Sequence, residues 1–182
     1  PVNVEIKSHE RVDDLDLKDL KIIQDPNAFC FGMDAVLLSH FAQPGSGDKV
    51  VDLGTGTGII PILMAGRSDG PIFYGVEIQA SMADMAKRSV ILNGLEDRIR
   101  IVEGDLKESP RYLGLSSYQM VTANPPYKKT GTGLVSPNKL KAVARHEILC
   151  DLDDVLKAAS RLLVKGGRLS MVHRPNRLDD II

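Results

Sequence analysis

The run Val-Val-Asp-Leu-Gly-Thr-Gly-Thr-Gly at positions 50–58 constrains this chain more than any other, because an apolar stretch ends in three glycines at alternate positions, Gly54, Gly56 and Gly58. The apolar stretch reads as a strand. Glycines directly after it let the backbone turn sharply into a helix and approach a ligand closely, since no β-carbon obstructs either. Strand and helix signals then alternate. Residues Lys49 to Leu53, Ile72 to Val76, Ile99 to Val102, Met120 to Ala123 and Arg168 to Val172 form short apolar runs, while Ile59 to Ala65, Ala80 to Leu92 and Leu152 to Leu163 carry helical spacing. The expected architecture is α/β: a mostly parallel sheet between two helical layers, a Rossmann-like three-layer sandwich that binds ligands at the carboxyl ends of its strands.

The stretch before the glycine run has a different texture. Residues 4–24 alternate weakly and read as one or two short strands, Asp25-Pro26-Asn27 breaks the pattern, and Met33, Val36, Leu37 and Phe41 fall at helical spacing. Gln43-Pro44-Gly45-Ser46-Gly47 reads as a small linker. The expected division is an amino-terminal extension over 1–45, packing on a ligand-binding catalytic domain over 46–182. A length of 182 residues with 43% hydrophobic and 26% charged suits one globular domain. No window approaches the roughly 20 apolar residues of a membrane span, and no signal segment opens the chain, so no membrane association is expected. Cys30 and Cys150 fit no metal-ligand spacing. A reducing cytoplasm and no bound metal are therefore the expectation, with a monomer as the default state. Net charge is −1, but residues 121–182 hold 11 Lys and Arg against 6 Asp and Glu, which places any footprint for a polyanion in the last third.

The glycine run excludes two ligand classes. A P-loop needs Gly-Lys-Ser/Thr, and a dinucleotide fingerprint needs a third glycine where Ile59 stands. What remains is a G-x-G-x-G turn preceded by Asp52, whose carboxylate would repel a pyrophosphate and suits a ligand bearing positive charge and amino groups. S-adenosylmethionine, with a sulfonium, an ammonium and no phosphate, meets that description. Glu77, at the end of the second run, can accept from both ribose hydroxyls, and Asp105 after the third is placed to accept from the adenine amino group.

The fourth run leads into Asn124-Pro125-Pro126-Tyr127. Two prolines stiffen that loop and leave it rich in acceptors. The Asn124 side-chain oxygen and the Pro125 carbonyl can take the two hydrogens of a planar amine, localising a lone pair that is otherwise delocalised, while Tyr127 offers a face for stacking.

VVDLGTGTG, GVEIQ and EGDL resemble the successive cofactor motifs of class I S-adenosylmethionine-dependent methyltransferases. That resemblance implies cofactor contacts from Asp52, Gly54, Thr55, Gly56, Gly58, Glu77, Ile78, Asp105, Leu106 and Asn124. NPPY is similar to the catalytic motif of enzymes that methylate adenine N6, guanine N2 or a glutamine side-chain nitrogen, and implies catalysis by Asn124, Pro125, Pro126 and Tyr127. FCFGMDAVLLSHFA and Ala144-Arg145-His146-Glu147 are similar to the bacterial tRNA(Val) adenine-N6 methyltransferase-like family, and the resemblance covers essentially the whole chain. It implies a bacterial cytoplasmic enzyme acting on tRNA or another structured RNA, with Phe31 and Asp34 at the wall of the cofactor pocket. Lys128, Lys129, Lys139, Lys141 and Arg145 are candidates for phosphate contact, and His146 and Arg174 for substrate contact. Three alternatives stay open: a release-factor glutamine methyltransferase, a ribosomal guanine-N2 enzyme, and a non-catalytic RNA-binding module. Such methyltransferases resemble a seven-stranded sheet whose last two strands form an antiparallel pair. Only five strands can be placed here, so the expectation is a chain that lacks its carboxyl-terminal hairpin.

Overall fold

The computed structural model describes residues 4–28, 30–124 and 150–173. The chain opens with an antiparallel hairpin, β1 (Arg11–Asp14) and β2 (Lys21–Gln24), followed by α1 (Met33–Phe41). The alternating part runs β3 (Lys49–Leu53), α2 (Ile59–Arg67), β4 (Ile72–Glu77), α3 (Ala80–Leu92) and β5 (Ile99–Glu103). A 3-10 turn (Leu106–Glu108) then leads into α4 (Ser109–Leu113), β6 (Tyr118–Ala123), α5 (Leu152–Leu162) and β7 (Leu163–Met171).

The last five strands form one sheet in the order β5-β4-β3-β6-β7, every neighbouring pair parallel. Covered on both faces, its central strands can be apolar almost throughout. The two-residue period sorts them. Val50, Phe73, Ile99 and Met120 turn to the face covered by α1, α2 and α3, and Val51, Val76, Val121 and Ala123 turn to the face covered by α5. From β3 the chain winds outward to β5 and then crosses to β6 on the other side. The switch between β3 and β6 opens a crevice at their carboxyl ends.

The structure extends and corrects the strand and helix assignments in particulars. The turn and α4 between β5 and β6 were not placed from sequence, because five residues are too few to show a period. Their local signals are Asp105, which caps the turn by accepting from the Lys107 amide at 2.9 Å, and Pro110 in the first turn of α4. Strand β7 begins at Leu163 rather than Arg168, with an irregularity at Gly166 (φ 80°) before regular pairing with β6 resumes at Arg168. Helix α1 spans the expected residues, yet it buries Ala35 and Leu38 while Met33, Leu37 and Phe41 are 69%, 60% and 77% exposed. Periodicity marks two apolar stripes on this helix, and packing against α2 selects the slimmer one.

The hairpin is fastened to α3 by side chains that complete the backbone of β2. The Ile23 amide donates to Ser89 Oγ at 2.9 Å. One turn further along the helix, Asn93 accepts from the Lys21 amide at 2.8 Å and donates to the Lys21 carbonyl at 2.7 Å. Apolar contact reinforces this attachment: a β-carbon at Gly66 of α2 would stand 2.5 Å from Leu20, so the hairpin lies directly on that helix. Arg88 of α3 reaches back to Glu10 with two bonds of 2.6 and 2.7 Å and to Asp84 at 2.8 Å, and the Glu10 side chain is only 2% exposed. The Arg88 guanidinium holds the Glu10 carboxyl below its ordinary 4.5, and Lys7 with Arg88 holds Asp84 below 3.8. Both lowered values stabilise the fold above the ordinary carboxylate range, and that contribution is lost as pH falls through them. Arg88→Ala is expected to cost about 2 kcal/mol at pH 7 by stranding Glu10. In thermal unfolding followed by circular dichroism, the gap between variant and wild type should narrow as pH drops from 7 towards 3, and a pH-independent gap would contradict the pairing.

Candidate active site

At the carboxyl end of β3, all three loop glycines have positive φ: 72° at Gly54, 59° at Gly56 and 85° at Gly58. This is the left-handed region that side chains disfavour, and it accounts for the triple glycine. The loop is pinned to the neighbouring strand, since the Gly54 and Thr55 amides both donate to the Val76 carbonyl at 2.9 Å. A β-carbon on Gly58, the residue that starts α2, would come within 3.3 Å of Ala86 on α3. The first turn of α2 has neither an acidic residue nor a side-chain cap, so its amides face the loop without a side-chain acceptor.

Glu77 ends β4, 5% exposed. One carboxylate oxygen accepts from the Gly56 amide and the other from the Gln79 amide, each at 2.9 Å. Burial raises its pKa, opposed by those amides. Each oxygen keeps a second lone pair for a hydroxyl donor.

Asp52 lies beneath the loop, 2% exposed. Its Oδ1 accepts from the Thr122 hydroxyl at 2.7 Å, and Thr122 is its register partner on β6. Among the described residues Oδ2 of Asp52 and Oγ1 of Thr55 are buried without a hydrogen-bond partner. Burial pushes the Asp52 pKa up to about 7, the hydroxyls of Thr55 and Thr122 work against that rise, and Glu77 adds to it. A carboxyl whose folded value is raised in this way weakens the fold as pH climbs above 3.8 and until it passes about 7. A nearby cation relieves that cost.

Beyond β5, Asp105 caps the 3-10 turn with Oδ1, and its Oδ2 lies 3.5 Å from Lys107 Nζ. The side chain remains 34% exposed. Ile78, immediately after Glu77, is 44% exposed, and Leu106 is half-buried against the α5 face of the sheet. Asn124 is half-buried just past Ala123, the register partner of Leu53, so Asn124 and Gly54 leave adjacent strands side by side. Phe31 is half-buried against the helical core, its amide donating to Gln24 Oε1 at 3.1 Å, and Asp34 is exposed in the first turn of α1. Pro125, Pro126, Tyr127, Lys128, Lys129, Lys139, Lys141, Arg145, His146 and Arg174 lie outside the described residues.

The strand ends therefore gather Asp52, the glycine loop, Glu77, Asp105 and Asn124 along one edge of the sheet. A cavity of about 270 Å³ lined by Ser39, His40, Gln43 and Arg67 sits at the opposite edge, where α1 and α2 end, and takes no part in this group. Two contributors were not singled out from sequence. Gly75 stands inside β4, where a β-carbon would meet the Thr55 side chain at 2.8 Å, so its absence makes room for Thr55 to pack on the strand. A glycine in a strand interior is the signal for such close approach. Thr122 shows itself only through register. Among the described residues no group of three or more His, Cys, Asp or Glu could hold a metal ion, and no helix is long and apolar enough to cross a membrane.

A parallel sheet of this order, with a glycine turn and carboxylates at successive strand ends, is the fold of a Rossmann-like class I methyltransferase. A crystal structure of a predicted O-methyltransferase from Agrobacterium tumefaciens superposes with a TM-score of 0.62 at 27% identity, over 82% of this chain and 65% of that one. The chain belongs to the methyltransferase small domain family, whose model matches residues 19–178. It is 31% identical to a tRNA1(Val) (adenine(37)-N6)-methyltransferase of Porphyromonas gingivalis over 170 residues, covering 90% of this chain and 66% of that protein. It is also 31% identical to the protein of the same name from Aeromonas salmonicida, covering 91% and 68%. The chain thus spans about two thirds of the length of these curated relatives.

The packing of Thr55 on Gly75 is open to direct test. Gly75→Ala should destabilise the protein by roughly 1–3 kcal/mol in urea unfolding, because the added methyl must displace Thr55 or Ile101. A change below about 0.5 kcal/mol would show that the close approach is not needed.

Proposed function

We propose that this chain transfers a methyl group from S-adenosylmethionine to the exocyclic N6 amine of an adenine in tRNA, in the bacterial cytoplasm, with residues 46–182 as the catalytic domain and 1–45 packed on it. The observation that carries the reading is the row of acids at consecutive strand ends around a glycine turn. The names of the curated relatives support the acceptor. The residues present fit the cofactor's chemistry. Asp52, with one unpartnered oxygen in a buried setting, suits a ligand of positive charge, and its hydrogen bond from Thr122 comes from a neutral hydroxyl. Glu77 retains lone pairs for the ribose hydroxyls, Asp105 has an accessible carboxylate for an adenine amine, and Ile78 offers an exposed apolar side chain beside them.

When bound, S-adenosylmethionine supplies a methyl group on a sulfonium, a good leaving group, so no metal or covalent nucleophile is required. The chain's own part is placement. Asn124, beside Gly54 at the crevice between β3 and β6, would accept one hydrogen of the target amine through its side-chain oxygen, and the Pro125 carbonyl would accept the other. With both amine hydrogens held by acceptors, the nitrogen lone pair would be drawn out of conjugation with the ring and aimed at the methyl group. Tyr127 would stack on an extruded base, and the lysines and arginine after it would hold the flanking phosphates.

Asn124→Ala is expected to bind S-adenosylmethionine within about threefold of wild type by calorimetry and to lose turnover by at least about a hundredfold. Unchanged turnover would remove Asn124 from catalysis. The acceptor is identified by offering labelled S-adenosylmethionine with separate pools of tRNA, ribosomal RNA, DNA and release factors, then digesting the products for mass spectrometry. N6-methyladenosine in the tRNA pool is the expected product. Label in release factor alone, or in guanine, would overturn the adenine assignment.

A further inference from the structure

We infer that Thr122 is a positioning residue of the cofactor site: its hydroxyl holds the buried Asp52 carboxylate in the charged form that a cationic methyl donor needs. The inference rests on the cofactor reading above and goes beyond it, since it assigns a role to a residue on the acceptor strand rather than on the cofactor loop.

The geometry is specific. Thr122 is fully buried and stands directly across from Asp52 in the β3·β6 register, with its Oγ1 donating to Asp52 Oδ1 at 2.7 Å. A hydroxyl that donates to a carboxylate favours the ionised state, and in a buried setting it does so with little competition from water. Apart from the Thr55 hydroxyl, which also works against the rise, the other surroundings of Asp52 oppose ionisation or leave it unsupported. From β4, the register partner is Gly75, which contributes no polar side chain, and Glu77 two residues on carries like charge. From the loop, the Thr55 hydroxyl, packed over Gly75, lowers the Asp52 pKa from nearby without forming a hydrogen bond of ordinary geometry. From α3, Met82 approaches Gly56 and Ala86 approaches Gly58, and both are apolar. Among the described residues Asp52 Oδ2 has no hydrogen-bond partner. Among the described residues Thr122 therefore makes the one well-formed hydrogen bond of the carboxylate, in a place where burial, with Glu77 adding to it, raises its pKa from the ordinary 3.8 to about 7.

The consequence has a definite sign. Below its pKa Asp52 carries a proton and offers a cation nothing, so affinity for a sulfonium- and ammonium-bearing ligand falls as pH drops through that value. Removing the Thr122 hydroxyl raises the pKa and moves the fall to higher pH. The link also joins two strands: Asp52 precedes Gly54 by two residues and Thr122 precedes Asn124 by two, so one hydrogen bond ties the strand of the cofactor loop to the strand of the acceptor lip.

The test reads Asp52 in the free protein and the ligand separately. In protein labelled with 13C at aspartate carboxyls, the Asp52 resonance, assigned by its loss in Asp52→Asn, should titrate near 7 in wild type. In Thr122→Val the midpoint should move up by about one pH unit, the size expected for one hydrogen bond to a charged group, and Thr122→Ser should restore it. S-adenosylmethionine affinity by calorimetry should follow, with Thr122→Val about tenfold weaker than wild type at pH 6.5 and within about threefold at pH 9. Thr122→Ala replaces the valine variant if that does not fold. An Asp52 midpoint unchanged by loss of the hydroxyl overturns this inference alone. A midpoint that moves while affinity stays independent of pH overturns the cofactor reading, and this inference with it.

Discussion

The carboxyl-terminal edge of the sheet depends on a strand holding down its neighbour's loop. Three left-handed glycines in five residues form a turn with little conformational preference of its own, and β4 supplies what fixes it. The Val76 carbonyl takes the Gly54 and Thr55 amides and the Glu77 carboxylate takes the Gly56 amide. Glu77 thus has a structural task before any ligand arrives. Glycine costs the most backbone entropy on ordering, so a triple-glycine turn keeps one shape only where such bonds are supplied from outside. The bare α-carbon of Gly75 completes the arrangement by letting Thr55 settle onto the strand.

Charge is handled in opposite ways at the two ends of the structure's core. Around Arg88, the buried Glu10 carboxylate and the partly exposed Asp84 are matched by a guanidinium, their pKa values fall, and the amino-terminal segment is fastened to α3. Beneath the glycine loop, Asp52 and Glu77 are buried with hydroxyls and amides and, among the described residues, without a cation, and their pKa values rise. The first arrangement stabilises the fold at neutral pH. The second costs stability there, and such cost is commonly found where a binding site awaits opposite charge.

The amino-terminal hairpin is part of the same construction. Its Ile23 packs with Met82 and Met85 of α3, and Met82 in turn lies next to Gly56. Gln24, 2% exposed, binds Asp13 on β1 through one end of its amide and the Phe31 backbone through the other. The path from hairpin to α1 is therefore set by a side chain that no periodicity analysis would select.

Much was legible in the sequence because it is local. The strand before the glycine run, the helices over 59–67 and 80–92, the short strands of the hairpin and the parallel sheet follow from apolar period and turn chemistry, which act over a few residues. So did the gathering of Asp52, Glu77, Asp105 and Asn124, since consecutive parallel strands must end at the same edge. What only the tertiary structure decided is which groups meet across that edge. The pairing of Thr122 with Asp52, the seating of Thr55 over Gly75, and the choice of Ala35 and Leu38 over Met33, Leu37 and Phe41 as the buried side of α1 all depend on strand register and helix packing. Those are set by contacts between residues tens of positions apart, and a one-residue change of register would turn each of these strand side chains to the opposite face.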